Sequence, residues 1–189
     1  GPAPHHPDFP KLEMLARVLD DGMSSRLSRR LVEELSLVYD IEAYISGTRE
    51  FSLLQIRLSC QHRRVERLLY ELFQIFYDLA QEPPTSDEID RTKKRILWEH
   101  AALLDSAAGV AQWLSSNMLQ NMNTSLKEHG RRLLSCRAED LSEMAHEALK
   151  QWPQRIAIVG DFSASSAKRL CTKLSERIGL DYALEYLKS

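Results

Sequence analysis

Residues 19–39 read Leu-Asp-Asp-Gly-Met-Ser-Ser-Arg-Leu-Ser-Arg-Arg-Leu-Val-Glu-Glu-Leu-Ser-Leu-Val-Tyr, and the reading of this stretch decides the fold. Asp20-Asp21-Gly22 favours a turn, and Ser24 or Ser25 can cap the free N–H groups of a helix that starts there. Leu27, Leu31, Leu35 and Val38 then recur at intervals of three to four, with Val32 beside them. That spacing predicts a helix with one buried face, which hands over to a strand near Tyr39.

Tyr39, Ile41, Ala43 and Ile45 alternate with Asp40, Glu42, Tyr44 and Ser46, the period-two pattern of a half-buried strand. Gly47 marks a turn, after which Leu54, Ile56, Leu58 and Cys60 repeat the alternation, so the two runs predict a hairpin. Before the deciding stretch, Gly1 to Pro10 holds four prolines and reads as an extended lead-in. Leu12, Leu15, Ala16 and Leu19 then mark a helix with Pro10 at its entrance.

Beyond the hairpin, the apolar residues from Val65 to Ala80 are in helical register until Pro83-Pro84 stops them. Thr85-Ser86-Asp87-Glu88 is a capping box for a helix that runs towards Asp105. Two shorter helices are expected between Ser106 and Arg132, interrupted around residues 121–124. Another amphipathic helix lies on Leu141, Met144, Ala145, Ala148 and Leu149. Ile156 to Val159, a continuous apolar run before Gly160, predicts a third, buried strand. Ala167, Leu170, Cys171, Leu174 and Ile178 make a last helix, ended by Gly179. Together these elements predict one α+β domain over residues 1–189, with helices packed on one face of an antiparallel sheet.

The composition excludes several function classes. There are 25 basic and 27 acidic residues in 189, a formal charge of −2, which supplies no field to hold a nucleic-acid backbone. The basic doublets Arg29-Arg30, Arg63-Arg64 and Arg131-Arg132 are far apart and read as solvated helix faces. No apolar run is long enough to cross a bilayer. Cys60, Cys136 and Cys171 are odd in number and lack the Cys-x-x-Cys spacing of a thiolate metal site.

Gly22-Met23-Ser24-Ser25-Arg26-Leu27, followed by Leu37-Val38-Tyr39, resembles the pitrilysin or insulinase-type zinc peptidases, which include mitochondrial processing peptidase. In that family a Gly-Gly-Gly-Met-Ser-Ser-Arg-Leu helix leads into Arg-Glu-Lys-Arg-Gly-Leu-Ala-Tyr and a strand. The resemblance implies the C-terminal, non-catalytic half-domain, a metallopeptidase half-domain of the LuxS and processing-peptidase type. It also implies one more strand immediately before Gly1-Pro2, so that the first strand is expected to be missing from this chain. The family's substrate-binding pair is an Arg and a Tyr seven residues apart. Tyr39 matches the Tyr, but Val32 stands where the Arg belongs, with Arg29 one helical turn away.

The family's zinc motif, His-x-x-Glu-His, does not occur here. Glu99-His100 supplies its last two letters, but Ile96 stands at the first ligand position, and one His cannot chelate alone. No catalytic residue, metal ligand or cofactor is therefore assigned within this chain. Zinc is expected in a partner domain of the parent protein. The partners implied are a His-x-x-Glu-His domain or a homologous subunit, with peptide as substrate and a possible dimer. The function implied is to close a peptide-binding chamber against the zinc domain. The alternative is a purely structural subunit that has lost peptidase activity.

Overall fold

In a computed structural model, the structure describes residues 1–122, 124–160 and 163–178. Helix α1, Phe9–Leu19, starts at Phe9 with Pro10 in its first turn. Leu12, Met14, Leu15 and Leu19 are wholly buried, and Phe9, Ala16 and Val18 nearly so. A helix apolar on most of its circumference is stable only when neighbours surround it. Helices α3 (Ser86–Leu104), α5 (Leu126–Ser135) and α6 (Ala138–Lys150) and strand β1 (Val38–Gly47) provide that cover. The lead-in is not extended as the prolines predict: it folds into turns, with the His6 N–H on the Ala3 carbonyl and the Phe9 N–H on that of His6.

The deciding stretch is helical but not a regular α-helix. Ser28–Glu34 is π-helical, with the Leu35 N–H reaching back five residues to the Arg30 carbonyl at 3.2 Å. Leu27 and Leu31 still lie fully buried in the main core. The helix closes through Leu37 N–H on the Leu31 carbonyl and Ser36 N–H on that of Val32, a Schellman closure widened by one residue. Ser36 occupies its left-handed position, at φ 48°.

Strand β1 pairs antiparallel with β2, Ser52–Cys60, in the register Ile41 to Leu58, Ala43 to Ile56 and Ile45 to Leu54. Those side chains pack on the helices, whereas Tyr44, Gln55, Glu42 and Arg57 form a polar ladder on the other face. A Cβ on Gly47 would lie 2.4 Å from the Phe51 carbonyl oxygen, so the hairpin turn closes only over glycine. The Ala43 N–H donates to Asp20 Oδ2 at 2.8 Å. Gly1 and Ser52 exchange both backbone bonds, at 2.8 and 3.3 Å, on the outer side of β2.

Helix α2 (Val65–Gln81) packs along α6, and Ser142 Oγ donates to the Ala80 carbonyl. The Thr85–Glu88 capping box opens α3. Helices α4 (Ala107–Leu119) and α5 flank the break near residue 121. Helix α7 (Ala164–Ile178) sets Leu170 and Leu174 against Leu69 of α2. Gly179, the expected stop of this helix, lies outside the described residues.

The third strand is the clear departure from the sequence reading. Residues 153–160 carry no strand pairing, and Val159 is 99% exposed. A continuous apolar run is stable as a strand only with cover on both faces and a free ladder beside it. This run pairs with neither β1 nor β2, and the sheet among the described residues is two-stranded.

Because a side chain at positive φ strains an L-residue, Ser36→Gly should stabilise the chain by about 0.5–1 kcal/mol. Urea unfolding of the two proteins measures the difference, and an unchanged or lower midpoint would contradict the assigned backbone.

Candidate functional site

The Gly-Met-Ser-Ser-Arg-Leu stretch is a structural joint. Gly22 has φ 94°, and a Cβ there would meet Arg95 Nη1 at 2.8 Å. Arg95 donates to the Asp21 carbonyl at 3.2 Å and pairs with Asp21 Oδ1 at 2.7 Å, which fixes the turn to α3. Arg26 grips Glu88 with two bonds, Nε to Oε1 at 2.7 Å and Nη2 to Oε2 at 3.1 Å. The same Glu88 completes the cap of α3 on Thr85. One carboxylate thus caps the start of α3 and anchors the start of the helical segment that follows Arg26.

Ser25 is buried, but its hydroxyl finds no partner. The expected serine cap is therefore not formed by Ser25; its contribution is a small side chain beside Leu27. Burial pushes the Glu88 carboxyl up, but the Arg26 and Thr85 hydrogen bonds outweigh it and hold the group at about 2.

Tyr39 does not share a face with Ile41 and Ala43. Val38 pairs with Cys60 and Asp40 with Ser59, so Tyr39 is the extra residue of a β-bulge. The insertion keeps Val38 and Ile41 inward and turns Tyr39 out, 69% exposed; bulges re-aim side chains in this way. Gln61 Nε2 donates to the Tyr39 hydroxyl at 2.7 Å, and Arg63 Nε donates to Gln61 Oε1 at 3.0 Å. The phenol therefore accepts one bond and keeps its own proton to give. Gln61 and Arg63 carried no sequence signal, because the bulge that brings Tyr39 to them leaves the apolar pattern looking regular.

Val32 is exposed on the π-helical segment, and Arg29 lies at 3.5 Å from Glu34. Arg30 is also taken, by Glu71 at 2.8 Å and Glu34 at 3.0 Å. His100 stacks on His129, ring centroids 5.9 Å apart, and Glu99 pairs with Arg17 and Arg95. Among the described residues no group of three or more His, Cys, Asp or Glu side chains is arranged to hold a metal ion. The donor set of the described residues does not fit a zinc site. Among the described residues no helix is long and apolar enough to cross a membrane.

Among the described residues an antiparallel hairpin, a bulged tyrosine and an Arg26–Glu88 joint between helices occur together with no metal-holding cluster. A family model described as the peptidase M16 inactive domain matches residues 1–96. The chain belongs to that family, the inactive C-terminal domain of M16 zinc-protease-like proteins. It is 27% identical over 150 residues to the zinc protease PqqE of Helicobacter pylori, covering 79% of this chain and 34% of that protein.

The solved structure of a protease from Helicobacter pylori superposes with a TM-score of 0.71 at 25% identity, covering 77% of this chain and 36% of that one. A peptidase M16 inactive domain from Pseudomonas fluorescens shares the fold, with a TM-score of 0.70 at 19% identity over 78% of this chain and 35% of its own. This chain spans about a third of the length of the curated relatives it matches.

Two measurements check the joint and the donor set. Glu88 titrates below its usual 4.5 in the folded chain, so it stabilises the fold above that pH, and the contribution is lost as pH falls towards 2. Glu88→Gln should lower stability at pH 7 by about 1–3 kcal/mol and flatten the acid limb of a urea-midpoint profile. Zinc added to the chain in competition with a chromophoric chelator should leave the chelator fully loaded.

Proposed function

We propose that this chain closes a peptide-enclosing chamber against a separate domain that carries the His-x-x-Glu-His motif, and that zinc is held in that domain. The observation that supports this best is Tyr39. A tyrosine turned to solvent by a bulge, with its oxygen held by Gln61, is a hydrogen-bond donor set in place before any substrate arrives. Peptide carbonyls present acceptors of the kind such a donor serves. Family membership as an inactive domain, and a span of about a third of a zinc protease, fit a half that shapes and encloses while another half cleaves. The partner is that zinc-bearing domain, a homologous subunit, or both, in a dimer.

The alternative, a structural subunit without peptidase activity, draws on Val32. With Val32 in place of a guanidinium at that position, stabilisation of a developing oxyanion is weaker.

The test is made in the assembled protein, with the zinc-bearing part present. Tyr39→Phe should lower kcat/KM for an unstructured peptide about tenfold or more, and Val32→Arg should raise it. Wild-type activity in both variants would leave the structural reading standing, and an assembly that cleaves nothing would establish it.

A further inference from the structure

A cavity of about 190 Å³ lies between α1, α4, α5 and the hairpin turn, far from the Tyr39 bulge in sequence and independent of the reading above. Its walls include Glu13 and Phe9 of α1, Trp113 and Asn117 of α4, His129 of α5 and Ile45 of β1. The volume is well beyond what one water needs.

Two of these residues leave an oxygen without a donor. Asn117 is 93% buried, at 7% exposure. Its amide nitrogen is committed to the Thr124 carbonyl at 2.6 Å, which fixes Oδ1 as the free acceptor, and Oδ1 has no partner. Glu13 Oε1 stands 3.6 Å from His129 Nε2, and Glu13 Oε2 has none. Both oxygens are shielded from bulk water, so a donor for them has to come from an occupant of the cavity.

The rest of the lining narrows the occupant. Arg17, one turn from Glu13, is drawn off by Glu99 at 2.8 Å, so no Lys or Arg lines the cavity. His129 is wedged between His100 and Trp113, ring centroids 5.9 and 6.1 Å away. The indole of Trp113 adds a π surface, which attracts cations. Two unmet oxygens, one of them on a carboxyl, beside an indole and with no Lys or Arg in the lining complement a compact donor-only cation.

The geometry points to a binding site for a primary ammonium group on a short alkyl stem, held by Glu13 and Asn117 against Trp113. The group can be free, as in a small amine, or borne on a peptide as a lysine side chain. Burial pushes the empty Glu13 carboxyl up to about 8, with Arg17 opposing. An ammonium ion entering the cavity therefore displaces that proton.

The other groups around Glu13 do not titrate in the window between pH 6.5 and 8. Burial holds the imidazoles of His129, at about 4, and His100 low. Burial also keeps Cys136 a thiol, at about 11.

The experiment follows the assigned Trp113 indole N–H by NMR as n-butylammonium, Nα-acetyl-lysine amide or n-butanol is added to the chain. Saturable shifts with either ammonium compound and none with n-butanol support the proposal, and which of the two binds identifies the source. Affinity should rise by about eightfold from pH 6.5 to pH 7.5 as the competing proton is lost. Glu13→Gln should weaken binding by about tenfold or more and remove the pH dependence. Should that variant not fold, the pH profile of the unaltered chain decides alone. No saturable shift, an equal response to n-butanol, or an affinity flat with pH would overturn the assignment.

Discussion

The structure depends on the enclosure of α1. Helices rarely bury most of their circumference, and this one does so because Leu12, Met14, Leu15, Val18 and Leu19 leave only a narrow polar seam of Glu13 and Arg17, with Lys11 alone on the opposite side. Three helices and a strand must close around it, and each is held in place by the area it removes from water there. These polar residues are then forced into contact with whatever packs beside them. Lys11 meets Asp140 of α6, Arg17 meets Glu99 of α3, and Glu13 faces His129 of α5.

Much of this was legible in the sequence, and the reason is periodicity. The hairpin, the Thr85–Glu88 capping box and the helices after it are elements whose patterns are local, so their residues announce them. The central place of α1 was not legible, since an apolar helix of eleven residues reads much like one of several amphipathic ones. The Ile156–Val159 run shows the opposite failure. Its residues prefer a strand, but pairing depends on a neighbour that local pattern does not specify.

Single-residue insertions account for two of the other departures. The π-helical turn and the bulge at Tyr39 each add one residue to a regular element. Neither changes which residues are apolar, so neither shows in a hydropathy pattern. Together they decide that Tyr39 faces out and that Ser36 takes a left-handed backbone. The Arg26–Glu88 clamp was hidden for another reason: its partners are separated by 62 positions. A matching Gly-Met-Ser-Ser-Arg-Leu thus reports how the chain is jointed more than what it binds, and Tyr39 has to carry the functional argument by its position.

The bond from the Ala43 amide to Asp20 gives the sheet a direction of growth. A β-strand at a border offers unspent amides to any extended segment that drifts past, and Asp20 spends the central one on β1 with a charged group that repels further backbone carbonyls. The β2 border, already engaged at Ser52 by Gly1, is left as the side on which a further strand can be added. A carboxylate outside the sheet thus makes the β1 border the less open of the two.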